Sequence, residues 1–205
     1  MDELKFAVIG NPVSHSLSPD IHLFFASQFQ LEHYTYNKIK SNENDFERDI
    51  NDFFKNGGTG LNVTVPFKGL AYNLCDELDQ SAGLCKSVNT VLIDSGKLIG
   101  HSTDGQGLID DFLHKKITLK DSKILIIGAG GSAASIISSL LFHGKIKEIS
   151  ILNRTKSNAL RLLDLFETNR LLMHEEGDEY DIVINTTPIS MNVGDITLPP
   201  ELIIN

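Results

Sequence analysis

Short apolar runs that end in glycine or proline alternate along this chain with longer stretches in which apolar residues recur every three or four positions. That alternation of strand and helix patterns predicts an α/β protein. Residues 6–9 form the first apolar run, stopped by Gly10-Asn11-Pro12. Ser18-Pro19 then reads as a helix start, with Ser as the N-cap and Pro in the first helical position. The helix is expected to reach residue 29, with Ile21, Phe24, Phe25 and Phe29 on roughly one face. A strand near 34–39, a helix over 43–55 closed by Gly57-Gly58, and a strand over 60–65 follow. Residues 88–93 and 97–100 predict a hairpin around Asp94-Ser95-Gly96, and residues 105–115 a helix.

After Ser122 the order becomes more regular. A strand at 123–127, a Gly-rich turn, a helix at 132–143, a strand at 148–152, a helix at 157–167 and a strand at 180–184 are expected in turn. The domain boundary falls in 101–121, which divides the chain into residues 1–101 and 102–205; no internal repeat is visible.

Composition narrows the function classes. The 205 residues are 41% hydrophobic and 22% charged, ordinary for a globular chain. Twenty-seven acidic against 18 basic residues give a formal net charge of −9, with no basic stretch to serve nucleic acid. A local site for an anion is still compatible with that charge. The opening Met1-Asp2-Glu3-Leu4-Lys5 lacks the basic and apolar regions of a signal peptide, and no apolar run approaches the roughly 18 residues of a membrane helix. A cytoplasmic protein is expected. Cys75 and Cys85 lack a ligand-like partner motif and the seven histidines are scattered, so neither a disulfide nor a metal is expected.

Gly128-Ala129-Gly130-Gly131-Ser132-Ala133 fits G-x-G-x-x-A between an apolar strand and a helix. There, glycines permit the tight turn and close backbone approach, and the helix start faces a pyrophosphate. A glycine-rich packing turn is the other reading, and the β-α-β frame favours the nucleotide. The end of the next strand discriminates between dinucleotides. An NAD site usually places Asp or Glu there for the ribose 2′-hydroxyl, whereas a 2′-phosphate needs a cation. The residues are Asn153-Arg154-Thr155-Lys156, with no acid among them. Arg154 offers a planar fork and Lys156 further charge, which favours NADP over the alternative of a solvated charge at a helix start.

In the first half, strand alternation puts Asn62 and Thr64 on one face, with Val63 and Val65 entering the core. Pro66 ends the run, and Lys68 opens a helix as either a surface charge or a working group. Ser14, Ser16 and Ser18 line a strand-to-helix connection where a carboxylate is welcome, although capping and turn roles explain them equally well. Thr103-Asp104-Gly105 can likewise be a plain helix start.

Together these segments resemble the shikimate dehydrogenase family. The resemblance rests on the opening run from Gly10 to Pro19, on Asn62-Val63-Thr64-Val65-Pro66-Phe67-Lys68, Val88-Asn89-Thr90, Thr103-Asp104-Gly105, the turn from Gly128 to Ser132, Asn153-Arg154-Thr155 and Asn185-Thr186-Thr187-Pro188, in order. It implies an N-terminal α/β substrate domain followed by a Rossmann-like doubly wound nucleotide-binding domain. It also implies NADP-dependent interconversion of 3-dehydroshikimate and shikimate, with a homodimer as a possible assembly. Carried over residue by residue, Ser16 and Ser18 would hold the substrate carboxylate, and Asn62, Thr64 and Asn89 the carboxylate end or ring hydroxyls. Asp104 would bind hydroxyls near the reacting carbon and pair with Lys68, the acid/base. Gly128, Ala129, Gly130, Gly131, Ser132, Asn153, Arg154, Thr155 and Lys156 would hold the cofactor. A quinate/shikimate dehydrogenase and an inactive ligand-binding remnant are the alternatives.

Departures from the family pattern stand at Lys86-Ser87, where Gly-Ala usually precedes Val, at Ser102, where Asn usually precedes Thr, and at Ser190, often Gly. The resemblance further implies several tens of residues beyond Asn205. These would complete the second sheet and return a helix to the first domain, so the sheet is expected to stop after its fourth strand, with little activity left.

Overall fold

The structure is a computed structural model of the chain and describes residues 3–143 and 145–188. The chain forms two compact units, residues 1–104 and 105–205.

The first unit is built on a mixed six-stranded sheet in the order β2-β1-β3-β5-β6-β4. Its elements are β1 (Leu4–Gly10), α1 (Ser18–Gln28), β2 (Tyr34–Lys40), α2 (Phe46–Lys55), β3 (Gly60–Val63), α3 (Lys68–Leu74), β4 (Glu77–Leu78), α4 (Gln80–Cys85), β5 (Thr90–Asp94) and β6 (Lys97–His101). β1 pairs in parallel with β2 and β3, while β3, β5 and β6 pair antiparallel in turn. Side-chain alternation divides β1 between two cores. Ala7 and Ile9 join Leu61 and Val63 against Phe46, Ile50 and Phe54 of α2 and Phe67 before α3. Val8 turns to the opposite face, with Val13 and Tyr36.

α2 ends as its glycines predict. Gly57 takes φ 83°, and the amides of Gly57 and Gly58 donate to the carbonyls of Phe54 and Phe53, both at 3.0 Å. α1 departs from expectation at its start. Leu17, with helical dihedrals, precedes the helix and makes no side-chain cap, so Ser18 is already inside it and its hydroxyl is used elsewhere. The four apolar residues predicted on one face of α1 are all exposed, and Ala26 is its buried residue.

Val65 also departs. It was expected in the core but is exposed, because the β3 ladder stops at Val63 and strand alternation ceases to apply. The next residues are tied by single bonds to the β1 side, Thr64 N–H to the Ile9 carbonyl at 2.9 Å and Asn11 N–H to the Val65 carbonyl at 2.9 Å. β4 and α4 had no counterpart in the sequence pattern. Both are very short, and Asp79 starts α4 by accepting from the Ala82 amide at 2.7 Å.

The second unit is a parallel four-stranded sheet, β10-β7-β8-β9. From residue 105 onward it comprises α5 (Asp104–His114, whose first residue belongs to the first unit), β7 (Lys123–Ile127), α6 (Gly131–His143), β8 (Glu148–Leu152), α7 (Lys156–Phe166), β9 (Leu171–Met173) and β10 (Ile182–Asn185). Its central strand β7 is nearly continuous in buried apolar residues, Ile124 to Ile127, as a strand covered on both faces must be. β9 was missing from the sequence reading because three residues are too few to show a period. Strand order runs outward from β7 to β9 on one side, with β10 on the other, the beginning of a doubly wound sheet. The region after the fourth strand, including Ser190 and the apolar Leu202-Ile203-Ile204, lies outside the described residues.

One glycine sets helix spacing in this unit. A Cβ on Gly105 would fall 2.2 Å from the Ser135 carbonyl oxygen and 2.3 Å from Ser139 Oγ, and the Gly105 amide donates to Ser135 Oγ at 3.0 Å. α5 therefore touches α6 backbone to backbone. Gly105→Ala is expected to lower stability by about 1–3 kcal/mol, the range of overpacking a tight contact, read as a reduced urea midpoint.

Candidate active site and nucleotide turn

Lys68 opens α3 and Asp104 opens α5, yet their side chains form a hydrogen-bonded ion pair. Both are mostly withdrawn from water, with side-chain exposures of 12% and 24%. Asn89 orders the pair from the side, its amide N–H₂ donating to Asp104 Oδ1 at 2.6 Å and Thr103 Oγ1 at 2.9 Å. Its Oδ1 in turn accepts from the Thr103 amide at 3.0 Å. Asn89 is itself fixed by backbone, donating to the His101 carbonyl at 3.0 Å and accepting from the Val63 amide at 2.8 Å. The Val88 amide reaches the Lys68 carbonyl at 3.0 Å, so the start of α3 is stitched to the same segment.

A second polar line crosses the sheet face. Asn62 alternates with buried Leu61 and Val63, as predicted, and its Oδ1 accepts from the Tyr36 phenol at 2.6 Å. Its Nδ2 lies 3.2 Å from Thr90 Oγ1 and 3.4 Å from the Asn89 carbonyl. Ser16 Oγ donates to Ser18 Oγ at 3.1 Å. Burial pushes the Tyr36 phenol pKa up to about 12, and nearby Ser18 acts in the opposite direction. The loop before α1 is held from below, Lys38 donating to the Ser14 carbonyl at 2.7 Å and Asn11 to the Ser41 carbonyl at 2.9 Å. Thr64 is pinned against β1, since a Cβ on Gly10 would lie 2.3 Å from its Cγ2. Ser16, Ser18, Asn62, Asn89, Lys68 and Asp104 thus belong to connected networks of one unit. Tyr36, absent from the sequence-derived set, joins the Asn62 line through its phenol. Its position among the alternating residues of β2 was the available signal, a polar-tipped aromatic on the face that Asn62 shares.

In the second unit Gly128 takes φ 110°, and a Cβ there would strike Thr186 Oγ1 at 2.4 Å. Thr186 closes the same corner by donating to the Ile127 carbonyl at 2.8 Å. Gly130 differs, because nothing lies within 4 Å of the Cβ it lacks. Packing within the protein does not require that glycine, whereas a backbone that must approach a pyrophosphate does. The turn leads into α6, whose start offers N–H groups and the positive dipole end to an anion. At the end of β8, Asn153 Nδ2 donates to the Thr155 carbonyl at 2.8 Å, and Arg154, Thr155 and Lys156 are exposed. An open glycine, a helix start and solvent-facing cations suit a dinucleotide phosphate. Among the described residues, no group of three or more His, Cys, Asp or Glu could hold a metal, and Cys75 and Cys85 are free thiols.

Comparison with known proteins agrees with both halves. Residues 8–91 match the shikimate dehydrogenase substrate binding domain, and residues 111–193 match the shikimate / quinate 5-dehydrogenase family. The chain belongs to the shikimate dehydrogenase family. Among relatives, the shikimate dehydrogenase (NADP(+)) of Acinetobacter baumannii strain ACICU is 39% identical over 97% of this chain and 78% of its own length. That of Legionella pneumophila strain Lens is 43% identical over 97% and 74%. Among solved structures, the Thermus thermophilus enzyme in complex with NADP(H) and shikimate superposes with a TM-score of 0.80 at 32% identity, covering 90% of this chain and 69% of that one. Shikimate dehydrogenase from Aquifex aeolicus gives 0.84 at 29%, covering 94% and 72%.

The departures from the shikimate dehydrogenase pattern acquire a physical meaning here. Lys86 ends α4 in the left-handed region, φ 49° and ψ 43°, which explains the glycine usual in the family. Ser87 is buried, and its hydroxyl has no hydrogen-bond partner among the described residues. Ser102, also buried, lies 3.3 Å from Cys85 Sγ, and burial raises the Cys85 thiol pKa. Lys86→Gly is expected to stabilise the fold by about 1 kcal/mol, because it removes the Cβ strain of a left-handed residue. A urea midpoint at or below that of the parent would show that the lysine side chain compensates.

Proposed function

We propose that this chain catalyses the NADP-dependent interconversion of 3-dehydroshikimate and shikimate, with Lys68 as its acid/base. The carrying observation is the Lys68–Asp104 pair, ordered by Asn89, within a unit that matches the family's substrate binding domain. When bound, NADP supplies the hydride chemistry. The chain's own task is the proton. In the oxidative direction the substrate hydroxyl gives its proton to the Lys68 amine as its carbon gives up hydride and the carbonyl forms. In the reductive direction the Lys68 ammonium returns a proton to the developing alkoxide. Asp104 holds the Lys68 Nζ in place and accepts from a substrate hydroxyl, and Asn89 keeps the carboxylate oriented.

Ser16 and Ser18 are read as the carboxylate donors, with Asn62 and Thr64 toward the same end of the ring. The Ser16–Ser18 hydrogen bond and the Asn62 amide, set on the sheet face by Tyr36, support this. The turn from Gly128 to Ser132 is read as the pyrophosphate cradle, with Arg154 and Lys156 for the 2′-phosphate and Asn153 and Thr155 shaping their loop. Residues 1–101 are read as the substrate domain and 102–205 as the NADP-binding domain. No helix among the described residues is long and apolar enough to cross a membrane, and both reactants are small water-soluble molecules, so a cytoplasmic site of action is proposed.

Lys68→Ala should lower kcat by roughly 10²–10⁴ with a smaller change in KM, as loss of an acid/base does. If kcat stays within a few fold of the parent, another group moves the proton. Arg154→Ala should weaken NADPH binding by about 1.5–3 kcal/mol and leave NADH binding unchanged, measured by titration calorimetry. Equal losses for the two cofactors would assign Arg154 a structural part only.

A further inference from the structure

Lys38 stands on the sheet face that carries Asn62, and no carboxylate claims it. Register puts Lys38 of β2 beside Val8 of β1, and Val8 beside Asn62 of β3, so the three form one row across the sheet. Residues paired in this way send their side chains to the same face. From there the Lys38 ammonium donates to the Ser14 carbonyl at 2.7 Å. Lys5, Lys97, Lys115 and Lys123 each meet an acidic side chain at 3.2 Å or less, whereas Lys38 has no ion-pair partner among the described residues. A neutral carbonyl leaves the ammonium its full charge and further N–H groups to offer.

That bond decides how well the serine loop is held. β1 ends at Gly10, and residues 11–17 cross to α1 outside any helix or strand. The near end is secured by Asn11, whose Nδ2 donates to the Ser41 carbonyl and whose amide donates to the Val65 carbonyl, both at 2.9 Å. Farther on, the Ser16 amide turns back to the Val13 carbonyl at 3.1 Å and Ser16 Oγ reaches Ser18, bonds that lie within the loop and its helix start. Among the described residues, the Lys38–Ser14 bond is the one hydrogen bond that ties residues 14–17 to the sheet. An exposed loop with a single outside tie is only as ordered as that tie makes it. The charge matters as well. Asp20 is exposed in the first turn of α1 and opposes an anion arriving at the helix start. A fixed cation on the sheet side of the loop offsets that repulsion, in a chain whose formal net charge is −9.

We propose that Lys38 is a positioning residue for the substrate, clamping the serine loop by the Ser14 carbonyl and placing beside it the positive charge that offsets Asp20. The proposal rests on the reading of Ser16 and Ser18 as carboxylate donors. A clamp made before the ligand arrives lowers the ordering cost of binding. Its loss appears in substrate affinity rather than in the chemical step, since Lys68 and Asp104 belong to the separate network around Asn89. Lys38 is exposed, so the electrostatic part of its effect is screened by salt.

Lys38→Met keeps a long stem and removes the charge and its donors, while Lys38→Arg keeps both. The test compares these two variants and Ser18→Ala with the parent, each as the 205-residue chain. Affinities for shikimate, for its uncharged methyl ester and for NADP⁺ come from calorimetry at low and high salt, KM and kcat from initial rates, and Tm from thermal unfolding. Lys38→Met is expected to raise the shikimate Kd and KM roughly tenfold, with kcat, NADP⁺ affinity and Tm close to the parent. The same variant is expected to cost the methyl ester less than about threefold, and Lys38→Arg to keep shikimate within about threefold of the parent. Added salt is expected to weaken shikimate binding more in the parent than in Lys38→Met. A shikimate Kd unchanged by Lys38→Met but weakened by Ser18→Ala would overturn the positioning role and leave the carboxylate reading intact. Both variants binding shikimate like the parent, or a parent that binds none, would overturn both. Equal losses for shikimate and its ester, with a parallel fall in Tm and in NADP⁺ affinity, would reduce Lys38 to a structural tie.

Discussion

A lysine ammonium and an aspartate carboxylate, 36 residues apart in sequence, meet at the heart of the first unit, and much of its local structure exists to keep them together. Neither charge is well solvated, so separating them would strand a poorly hydrated ion at each end. The contact is secured by position. Lys68 sits at the first residue of α3 and Asp104 at the first residue of α5, and helix starts are set by the backbone that leads into them. Asn89 supplies that control from between. Its backbone is locked to β3 and β6, and its amide holds Thr103 and the Asp104 carboxylate. Asn89 thereby fixes the carboxylate, while the neighbouring Val88 amide ties the start of α3 through the Lys68 carbonyl.

On the proposed reading, the two halves of the chain would meet their ligands by different physical means. In the first, recognition is by side chains that alternate off a sheet face, so their placement follows from strand register. Val8 opposite Asn62, with Phe6 opposite Tyr36, puts two polar groups on one surface with apolar residues beneath them. In the second, recognition is by backbone. The turn after β7 is shaped by the left-handed Gly128 wedged against Thr186, while Gly130 leaves open space at the surface. A side chain is needed at the far end of β8, where Arg154 and Lys156 face solvent. Deep burial would penalise cations meant for a phosphate, and exposure keeps them charged.

Family membership does not make every position ordinary. Lys86 and Ser87 stand where the fold would prefer a residue without a Cβ and a residue without a hydroxyl. Each carries a small local cost, one in backbone strain and one in an unmade hydrogen bond. Such costs are absorbed by a well-packed neighbourhood, and buried Cys85, Val88 and Ser102 provide it.

Residue order alone was enough to settle the α/β class, most element positions, the division into a side-chain-bearing half and a glycine-turn half, and the NADP preference. These depend on local periodicity and on turn chemistry, which act over a few residues. Lys68, Asp104, Asn62 and Asn89 became candidates only through the resemblance to a family motif, since residue type and spacing alone left Lys68 and Asp104 as plain helix starts or working groups. What residue order left open were the brief elements β4, α4 and β9, too short to show a period, and the fate of Val65, where strand alternation stops with its ladder. Ser18 looked like a helix cap, yet Leu17 takes the cap position and the Ser18 hydroxyl meets Ser16 instead. The bond from Tyr36 to Asn62 was not legible, because alternation could place both on one face but not bring together residues 26 apart in sequence. Long-range hydrogen bonds of that kind are decided when sheet register and helix packing place the groups within 3 Å of one another, and no local pattern encodes them.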